Sequence, residues 1–347
     1  MKKNLRNILA LSLGLMTTVA SAQTWDIDSR TRMDMSEAMG ENYKSTDQRV
    51  TMGATWGGSD WGIHMSSDLN YTLGGGNADE KSMEIYEAYA SANLMGYASV
   101  TAGRQAINNG SGALMSTRCW GTDRTTWDGM TFGLNLDMAD VTIGYASMNT
   151  GMGLDDNTNM WVNMAGEFSG WNVNVLYMTE EGLRADGSAA SDDAATGIDI
   201  SGTVGGAGVH ASMNTDFDGD EMRVLGLTYA VNNDMGVHVS QTVYGDDGGF
   251  AMAGTNMSGG DWSNGQLGYQ NANDEILSYG LTYNMGSIEM GATMHKMTND
   301  TDGAVNNDRS VTEFSLGYSL GSNAGLSLQY ADDNDTKYMW LTLNVGL

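Results

Sequence analysis

Apolar side chains occupy every second position at the end of the chain. Residues 337–347 read KYMWLTLNVGL, in which the alternate positions carry Met339, Leu341, Leu343, Val345 and Leu347. This alternation is typical of a β-strand with one apolar face. Terminal residues usually fray, because they bury too little surface to offset the entropy of ordering them. A strand patterned up to its last residue is therefore expected to be paired along its whole length.

The same period of two recurs along most of the chain, in segments of roughly ten residues. One segment places Trp61, Ile63, Met65, Leu69, Tyr71 and Leu73 on one face and His64, Ser66, Asp68, Asn70 and Thr72 on the other. Further segments of this kind lie at 160–168, 277–285 and 288–294. The pattern predicts many strands that are apolar on one face and polar on the other.

The connections between these segments alternate in length. Tight turns lie at 57–59, 96, 137–140, 169–170, 205–206, 232–234, 286–287 and 321–324. Longer loops, rich in Asp, Asn and Gly, lie at 37–47, 74–82, 106–125, 149–158, 180–194, 215–221, 245–274, 298–309 and 332–336. Short turns at one end and long loops at the other are typical of outer-membrane barrels.

We therefore predict an all-β fold, a transmembrane, antiparallel, up-and-down β-barrel with short periplasmic turns and long extracellular loops. Counting strands between the connections gives eighteen, with sixteen as the alternative. A β-sandwich would also alternate, but it would not sort its turns by length in this way. The barrel would form a single domain, residues 23–347, closed by pairing of the last strand with the first, TWDIDSRTRMDM.

The first 22 residues have the pattern of a cleaved signal peptide. A basic opening, MKKNLR, precedes the short apolar run ILALSLGLMTTVA and the small residues Ala20-Ser21-Ala22. The run is too short for a membrane-spanning helix, so we expect export and a mature chain beginning at Gln23. Together with the barrel pattern, this predicts the outer membrane of a Gram-negative bacterium.

Proline and cysteine usage agree with a chain of paired strands. The sequence has no proline, which would remove a ladder hydrogen bond that lipid cannot replace. It has one cysteine, Cys119, so an intrachain disulfide is excluded even in an oxidising compartment. Stability is therefore expected to come from the strand ladder.

The stretch from Glu87 to Gly129 carries a family resemblance. Its positions Gly103-Arg104-Gln105, Trp120, Arg124 and Asp128-Gly129 resemble those of Gram-negative outer-membrane porins, closest to the alginate-export-like family. The resemblance implies a pore of eighteen or sixteen strands, with 105–126 as a constriction loop folded into the lumen. The chain end also resembles the C-terminal signal read by the barrel-assembly machinery, although Leu347 replaces the usual aromatic residue.

Charge narrows the solutes that such a pore would pass. Removing Lys2, Lys3 and Arg6 with the signal peptide leaves 13 basic and 43 acidic residues, a formal charge of about −30. A conduit for a polyanion such as alginate would be expected to present many cations. The balance favours a cation-biased pore, and a selective channel for anionic sugars or oligosaccharides is the alternative.

The few arginines are clustered along the sequence. Arg104, Arg118 and Arg124 lie within 21 positions that contain one acidic residue, Asp123. Three more lie in the first two strands: Arg30, Arg32 and Arg49. We predict these seven residues as pore or constriction residues, with the arginines facing acidic wall residues across the lumen. The alternative interpretation is that each arginine pairs locally with a carboxylate for structure.

Other chemical groups give weaker signals. The histidines His64, His210, His238 and His295 lie singly on separate strands and are interpreted as polar wall residues. A loop with Asn214, Asp216, Asp218 and Asp220 matches the first ligand positions of a calcium loop but has Leu225 at the twelfth. It could hold Ca²⁺ or Mg²⁺ loosely beside lipopolysaccharide, and no other cofactor or metal is expected.

Two classes of function remain, and a third, an enzyme, is not expected. The leading one is a passive porin for small hydrophilic solutes or ions, which would contact outer-membrane lipid and lipopolysaccharide and assemble as a homotrimer. A surface receptor or adhesin that binds through the loop at 245–274 is a second. No Ser, His and carboxylate constellation points to an enzyme, and the acidic balance argues against nucleic acid.

Overall fold

The computed structural model describes residues 23–38, 41–42, 44–74, 81–117, 124–148, 157–184, 187–252, 267–334 and 336–347. The predicted signal peptide, together with Arg118, Cys119, Trp120 and Asp123, lies outside these residues. Within the described ranges no helix has the length and hydropathy needed to cross a membrane.

Eighteen long strands and two strands of two residues make up the described secondary structure. The first nine in chain order are β1 (Gln23–Asp34), β2 (Glu37–Ala38), β3 (Glu41–Asn42), β4 (Ser45–Gly57), β5 (Trp61–Thr72), β6 (Lys81–Leu94), β7 (Ala98–Gln105), β8 (Trp127–Asn135) and β9 (Asp140–Met148). The next six are β10 (Asn157–Phe168), β11 (Trp171–Glu181), β12 (Ala195–Val204), β13 (Ala207–Thr215), β14 (Glu221–Ala230) and β15 (Met235–Tyr244). The last five are β16 (Glu275–Met285), β17 (Ile288–Thr298), β18 (Ser310–Ser319), β19 (Ala324–Asp333) and β20 (Thr336–Gly346).

The long strands form one closed antiparallel barrel. Each pairs with its neighbours in chain order, and β1 pairs with both β4 and β20. The closing register runs from Asp28 opposite Gly346 to Asp34 opposite Trp340, and the amide of Leu347 donates to the Ile27 carbonyl (3.0 Å). The prediction of eighteen strands is confirmed, and the sixteen-strand alternative is wrong.

The two faces of the wall differ in polarity, as the period-two pattern requires. On β8, the outward residues Met130, Phe132 and Leu134 are each more than a third exposed. On β10, the inward residues Asn157, Asn159 and Asn163 are buried inside the barrel. An apolar outer band around a polar interior is the arrangement of a barrel that spans a lipid bilayer.

Loop segments fill part of the interior with an apolar cluster. Leu114 and Met115, from the segment after β7, are buried with the inward-facing Trp161 and Met178. The same cluster includes Phe217, Tyr244, Phe250, Met252 and Ile276. These contacts hold several loops inside the wall, which leaves less of the lumen open than the bare strands would.

A buried carboxylate fixes two of the loops to each other. Asp274 is fully buried and accepts hydrogen bonds from the side-chain amides of Asn299 (2.7 Å) and Asn306 (2.5 Å) and from the Asn271 backbone (2.8 Å). A buried charge needs such partners because isolation from water is otherwise costly. Asp274 therefore ties the chain before β16 to the connection between β17 and β18.

Glycines on the inner face lie beneath flat rings. Gly144 of β9 is directly opposite Trp161 of β10, and a Cβ added at Gly144 would lie 2.0 Å from two ring atoms. Gly226 similarly underlies the His210 ring, with 2.0 Å to its Cε1 atom. The missing Cβ lets each ring lie against the wall, a packing that also protects the glycine backbone.

We expect Gly144→Ala to lower the free energy of unfolding by about 1–3 kcal/mol, because the added methyl group overlaps the Trp161 ring. The matched control is Gly317→Ala on β18, where the nearest atom to the added Cβ is the Glu289 Cβ at 3.7 Å. Denaturant unfolding of both variants in lipid vesicles measures the difference. Equal midpoints would contradict the ring-on-glycine packing.

Candidate functional site in the lumen

The segment at 106–117 leaves β7 and reaches a wall five strands further round the barrel. The Ser111 amide donates to Asp199 Oδ2 on β12 (2.9 Å), and the Ser212 hydroxyl on β13 lies 3.3 Å from the Ser111 hydroxyl. The Tyr269 hydroxyl donates to the Ala113 carbonyl (2.5 Å). The tip therefore lies inside the barrel, held by contacts with two strands and one other loop.

The local sequence of this segment permits the close approach. Gly110 and Gly112 have φ angles of +57° and +80°, and a Cβ at Gly110 would lie 2.0 Å from Asp199 Oδ2. The Ser116 hydroxyl donates to the Gly112 carbonyl (2.8 Å), and the Thr117 amide donates to Asn108 Oδ1 (2.9 Å). Left-handed backbone and side-chain caps thus give the tip a compact shape.

Three arginines of the first two wall strands lie together on the inner face. Arg30 on β1 is directly opposite Arg49 on β4, and each is only 8% exposed. Arg32 is the next inward residue on β1 and is opposite Asp47, whose carboxylate accepts a hydrogen bond from Thr72 (2.8 Å). Like charges held this close favour an anionic group beside them.

Arg124 extends this cluster from the other end of the β7–β8 connection. Its Nε donates to Asp68 Oδ2 (2.9 Å), and its Nη2 donates to Thr51 Oγ1 (3.0 Å) and Asp68 Oδ1. Its guanidinium lies 3.3 Å from the centroid of the Tyr86 ring. Bidentate pairing and a cation–π contact fix the plane of the guanidinium against the inner wall.

Tyr86 reaches Arg124 through a β-bulge. Ser66 pairs with Glu87 and Ser67 pairs with Ile85, so Tyr86 is an extra residue on β6. A bulge re-aims the side chain that it inserts, and here it places an aromatic ring under a lumenal cation. Neither Tyr86 nor Asp68 was singled out from the sequence; only the inward parity of Asp68 pointed to the pore.

Arg104 lies on the outer face of the barrel. It is opposite Asp128, and the two pair through Nε–Oδ1 (2.7 Å) and Nη2–Oδ2 (2.6 Å). Arg104 shares its face with Ala102, and Asp128 shares its face with the exposed Met130. The prediction that Arg104 lines the pore is wrong, because strand parity turns it outward, and its role is the structural pairing.

An acidic stretch of wall lies on the far side of the ring from the arginine cluster. Asp140, Glu167 and Asp199, with Asn172 and Asn174, line a cavity of about 560 Å³ beside the loop tip. These residues belong to β9–β12, whereas the arginine cluster is carried by β1 and β4. The acidic cavity of β9–β12 thus lies across the interior from the arginine cluster, which is itself interleaved with the carboxylates Asp47 and Asp68.

The carboxylate of Asp216 holds the loop between β13 and β14 through hydrogen bonds from backbone amides. Asp216 Oδ1 accepts hydrogen bonds from the amides of Asp218 and Asp220 (3.0 Å each), and its Oδ2 accepts one from the Ala251 amide (3.0 Å). Asp218 pairs with Arg184, and the Asn214 amide donates to Ser212 (2.8 Å). The side chains of Asn214, Asp216 and Asp218 thus have hydrogen-bond or ion-pair partners within the protein, and within the described ranges no group of three or more His, Cys, Asp and Glu side chains could hold a metal ion.

Burial and ion pairing shift the pKa values of Arg184 and Asp220 in the loops after β11 and β13. Desolvation raises the pKa of Asp220, and the nearby carboxylates of Asp216, Asp218 and Asp247 raise it further. The hydrogen bonds that the Arg184 guanidinium donates to Glu180 and Asp218 raise the pKa of Arg184, which stays protonated. The rim of the barrel is thus fastened by a permanent cation between two loops.

Solved structures similar to this fold are outer-membrane porins. OpdK of Pseudomonas aeruginosa matches with a TM-score of 0.74 at 11% identity, covering 94% of this chain and 98% of that chain. OccAB2 of Acinetobacter baumannii matches with a TM-score of 0.74 at 12% identity and the same coverage. OccK11 (OpdR) of P. aeruginosa matches with a TM-score of 0.71 at 12% identity, over 94% and 96%. No protein-family model and no curated protein matches the sequence.

We expect Ser111→Cys and Ser212→Cys, combined with Cys119→Ser, to form a disulfide under mild oxidation, because the two hydroxyls lie 3.3 Å apart. Loss of thiol labelling and an intact-mass change of two hydrogens would report the bond. Ser111→Cys with Ser91→Cys, on the β6 wall, is the control. Free thiols in the first pair would contradict the docked position of the loop tip.

Proposed function

We propose that this protein is a porin of a Gram-negative outer membrane, through which small hydrophilic solutes and ions diffuse passively. The observation that carries the proposal is the closed barrel itself, apolar outside and polar inside, with a loop docked in its lumen. Such a loop narrows the path and brings solutes close to charged wall residues. The similar solved structures support the architecture.

A bias toward cations is part of the proposal. Carboxylates on the inner face, including Asp140, Glu167 and Asp199, are more numerous than the inward arginines. The formal charge of the whole sequence, −27, has the same sign. Charge of one sign along a pore raises the local concentration of the opposite ion. Potassium is therefore expected to pass more readily than chloride.

Small organic carboxylates form the second candidate class of solute. The observation that favours them is the inward cluster of Arg30, Arg32 and Arg49, in which like charges are held close together on one wall. One solved structure of OpdK contains vanillate, an aromatic carboxylate. Alginate-like oligosaccharides, implied by the resemblance around Gly103-Arg104-Gln105, belong to the same class by charge. A carboxylate would exchange its hydration for these guanidinium groups.

Reconstitution in a planar bilayer under a KCl gradient tests both classes. We expect stable conductance steps with a cation-selective reversal potential. Arg124→Gln should raise that selectivity roughly twofold, because it removes a unit charge close to the path. Arg104→Gln is the matched control, with its charge on the outer face, and should leave the reversal potential unchanged. Benzoate added on one side should reduce potassium current only if carboxylates bind inside.

The outcomes separate the candidate functions. No conductance from a correctly folded barrel would contradict a porin and favour the receptor role, for which the loop at 245–274 is the candidate surface. Part of that loop, 253–266, lies outside the described residues, while Phe250, Met252 and Tyr269 pack inside the barrel. Benzoate block that persists in Arg30→Gln/Arg49→Gln protein would contradict the arginine cluster as the carboxylate site.

Export and assembly are proposed together with the pore. The signal peptide would be removed after Ala22, the barrel-assembly machinery would read the final strand, and three copies would associate. The outer faces of β6 and β7 support association, because Ala88, Ala90 and Ala102 allow close approach between barrels. We expect a mature mass beginning at Gln23 and a particle of three chains in mild detergent, both read by mass spectrometry. A single-chain particle would exclude the trimer.

A further inference from the structure

Two histidines on the inner face, six strands apart round the barrel, have similar surroundings. On β5, His64 Nδ1 lies 2.8 Å from the Thr55 hydroxyl of the preceding wall strand, directly opposite it. On β17, His295 Nδ1 lies 2.7 Å from the Ser278 hydroxyl, again on the preceding strand and directly opposite. Each ring is thereby held in one orientation against the inner wall.

A carboxylate from the following strand faces the other nitrogen of each ring. His64 Nε2 is 3.7 Å from Glu87 Oε2, and His295 Nε2 is 3.6 Å from Glu313 Oε1. Both separations exceed a hydrogen bond, and neither Nε2 atom has a hydrogen-bond partner in the part of the chain that the structure describes. Glu313 Oε1 is likewise buried with no hydrogen-bond partner there.

Each set is shielded but lies on the pore face. The His295 side chain is 4% exposed and lines a lumenal cavity of about 620 Å³ together with Glu313, His238 and His210. Ser278 also faces this pair, and beyond β16 lies His238, whose Nε2 is 3.3 Å from the Thr293 hydroxyl. The other titratable residues in the lining of this cavity are Tyr244 and Tyr330. Among the residues that the structure describes, no lysine or arginine lines that cavity.

The second set has its own fixed neighbours. The His64 ring stacks on Tyr89 with 5.0 Å between centroids, and Glu87 Oε1 accepts a hydrogen bond from the Ala106 amide (3.0 Å). That amide belongs to the segment that crosses the lumen. The carboxylate is therefore oriented by the loop, and the ring by Thr55 and Tyr89.

We propose that the two hydroxyl–imidazole–carboxylate sets are proton-binding sites that lower the cation preference of the pore as the pH falls. The proposal rests on the porin function above. A proton added to Nε2 makes both ring nitrogens donors, one to the hydroxyl and one to the carboxylate. The pair would close to a charge-assisted hydrogen bond, and the wall would gain one positive charge at each site.

Reversal potentials of the full mature chain under a KCl gradient, at about pH 8 and about pH 5.5, test the effect on permeation. In unsubstituted protein we expect the potassium-to-chloride permeability ratio to fall about twofold for each site, since each adds a unit charge beside the path. His64→Gln/His295→Gln should abolish most of that fall. His210→Gln is the control, because among the described residues His210 forms no ion pair with a carboxylate.

Two conductance results would overturn the proposal: a pH response that persists in the double variant, or one that His210→Gln removes equally. Imidazole nitrogen NMR of the folded barrel tests proton binding without any conductance. Glu313→Gln should displace the pH at which the His295 nitrogens titrate, and an unchanged titration also overturns the proposal. A protein that never conducts but shows this displacement would contradict the porin function and leave the proton sites standing.

Discussion

Satisfaction of the backbone hydrogen bonds is the constraint on which this structure depends. In hydrocarbon an amide or carbonyl without a partner costs several kcal/mol, because water cannot replace the missing bond. The chain meets this constraint by closing β20 onto β1, with pairing that runs from Asp34 opposite Trp340 to the hydrogen bond between the Leu347 amide and the Ile27 carbonyl. Once every edge is removed, the wall is rigid enough to hold charged groups at fixed positions inside it.

In a barrel of paired strands, side chains alternate between the lipid-facing and the lumenal face. This alternation decides which residues can contact a solute. One residue along a strand separates a lipid-facing side chain from a lumenal one. Arg104 and Gln105 illustrate this, since Arg104 pairs outside with Asp128 while Gln105 is buried inside the wall. The chemistry of the pore is therefore built from one parity of each strand, supplemented by a bulge and by docked loops.

The sequence predicted those features that depend on the repeated difference between the apolar and the polar face of each strand. It located the strands, the tight turns and the closing pair, because each strand carries its own apolar and polar sides. It placed Arg104 wrongly, although the parity of Ala102 and Met130 contained the answer. The partners of Arg124 were not accessible in this way, because they depend on the bulge at Tyr86 and on a loop that returns across the lumen. The carboxylates beside His64 and His295 depend on inter-strand register, which a single sequence leaves open.

The position of the docked loop tip also sets an order of folding steps. Ser111 and its acceptor Asp199 are 88 residues apart in sequence, and β12, which carries Asp199, lies five strands round the wall from β7. Strands β12 and β13 must be paired before the segment after β7 has a surface to bind. The interior of the partly formed barrel is therefore wider than that of the finished one, and the docked tip narrows it only when the second half of the wall is in place.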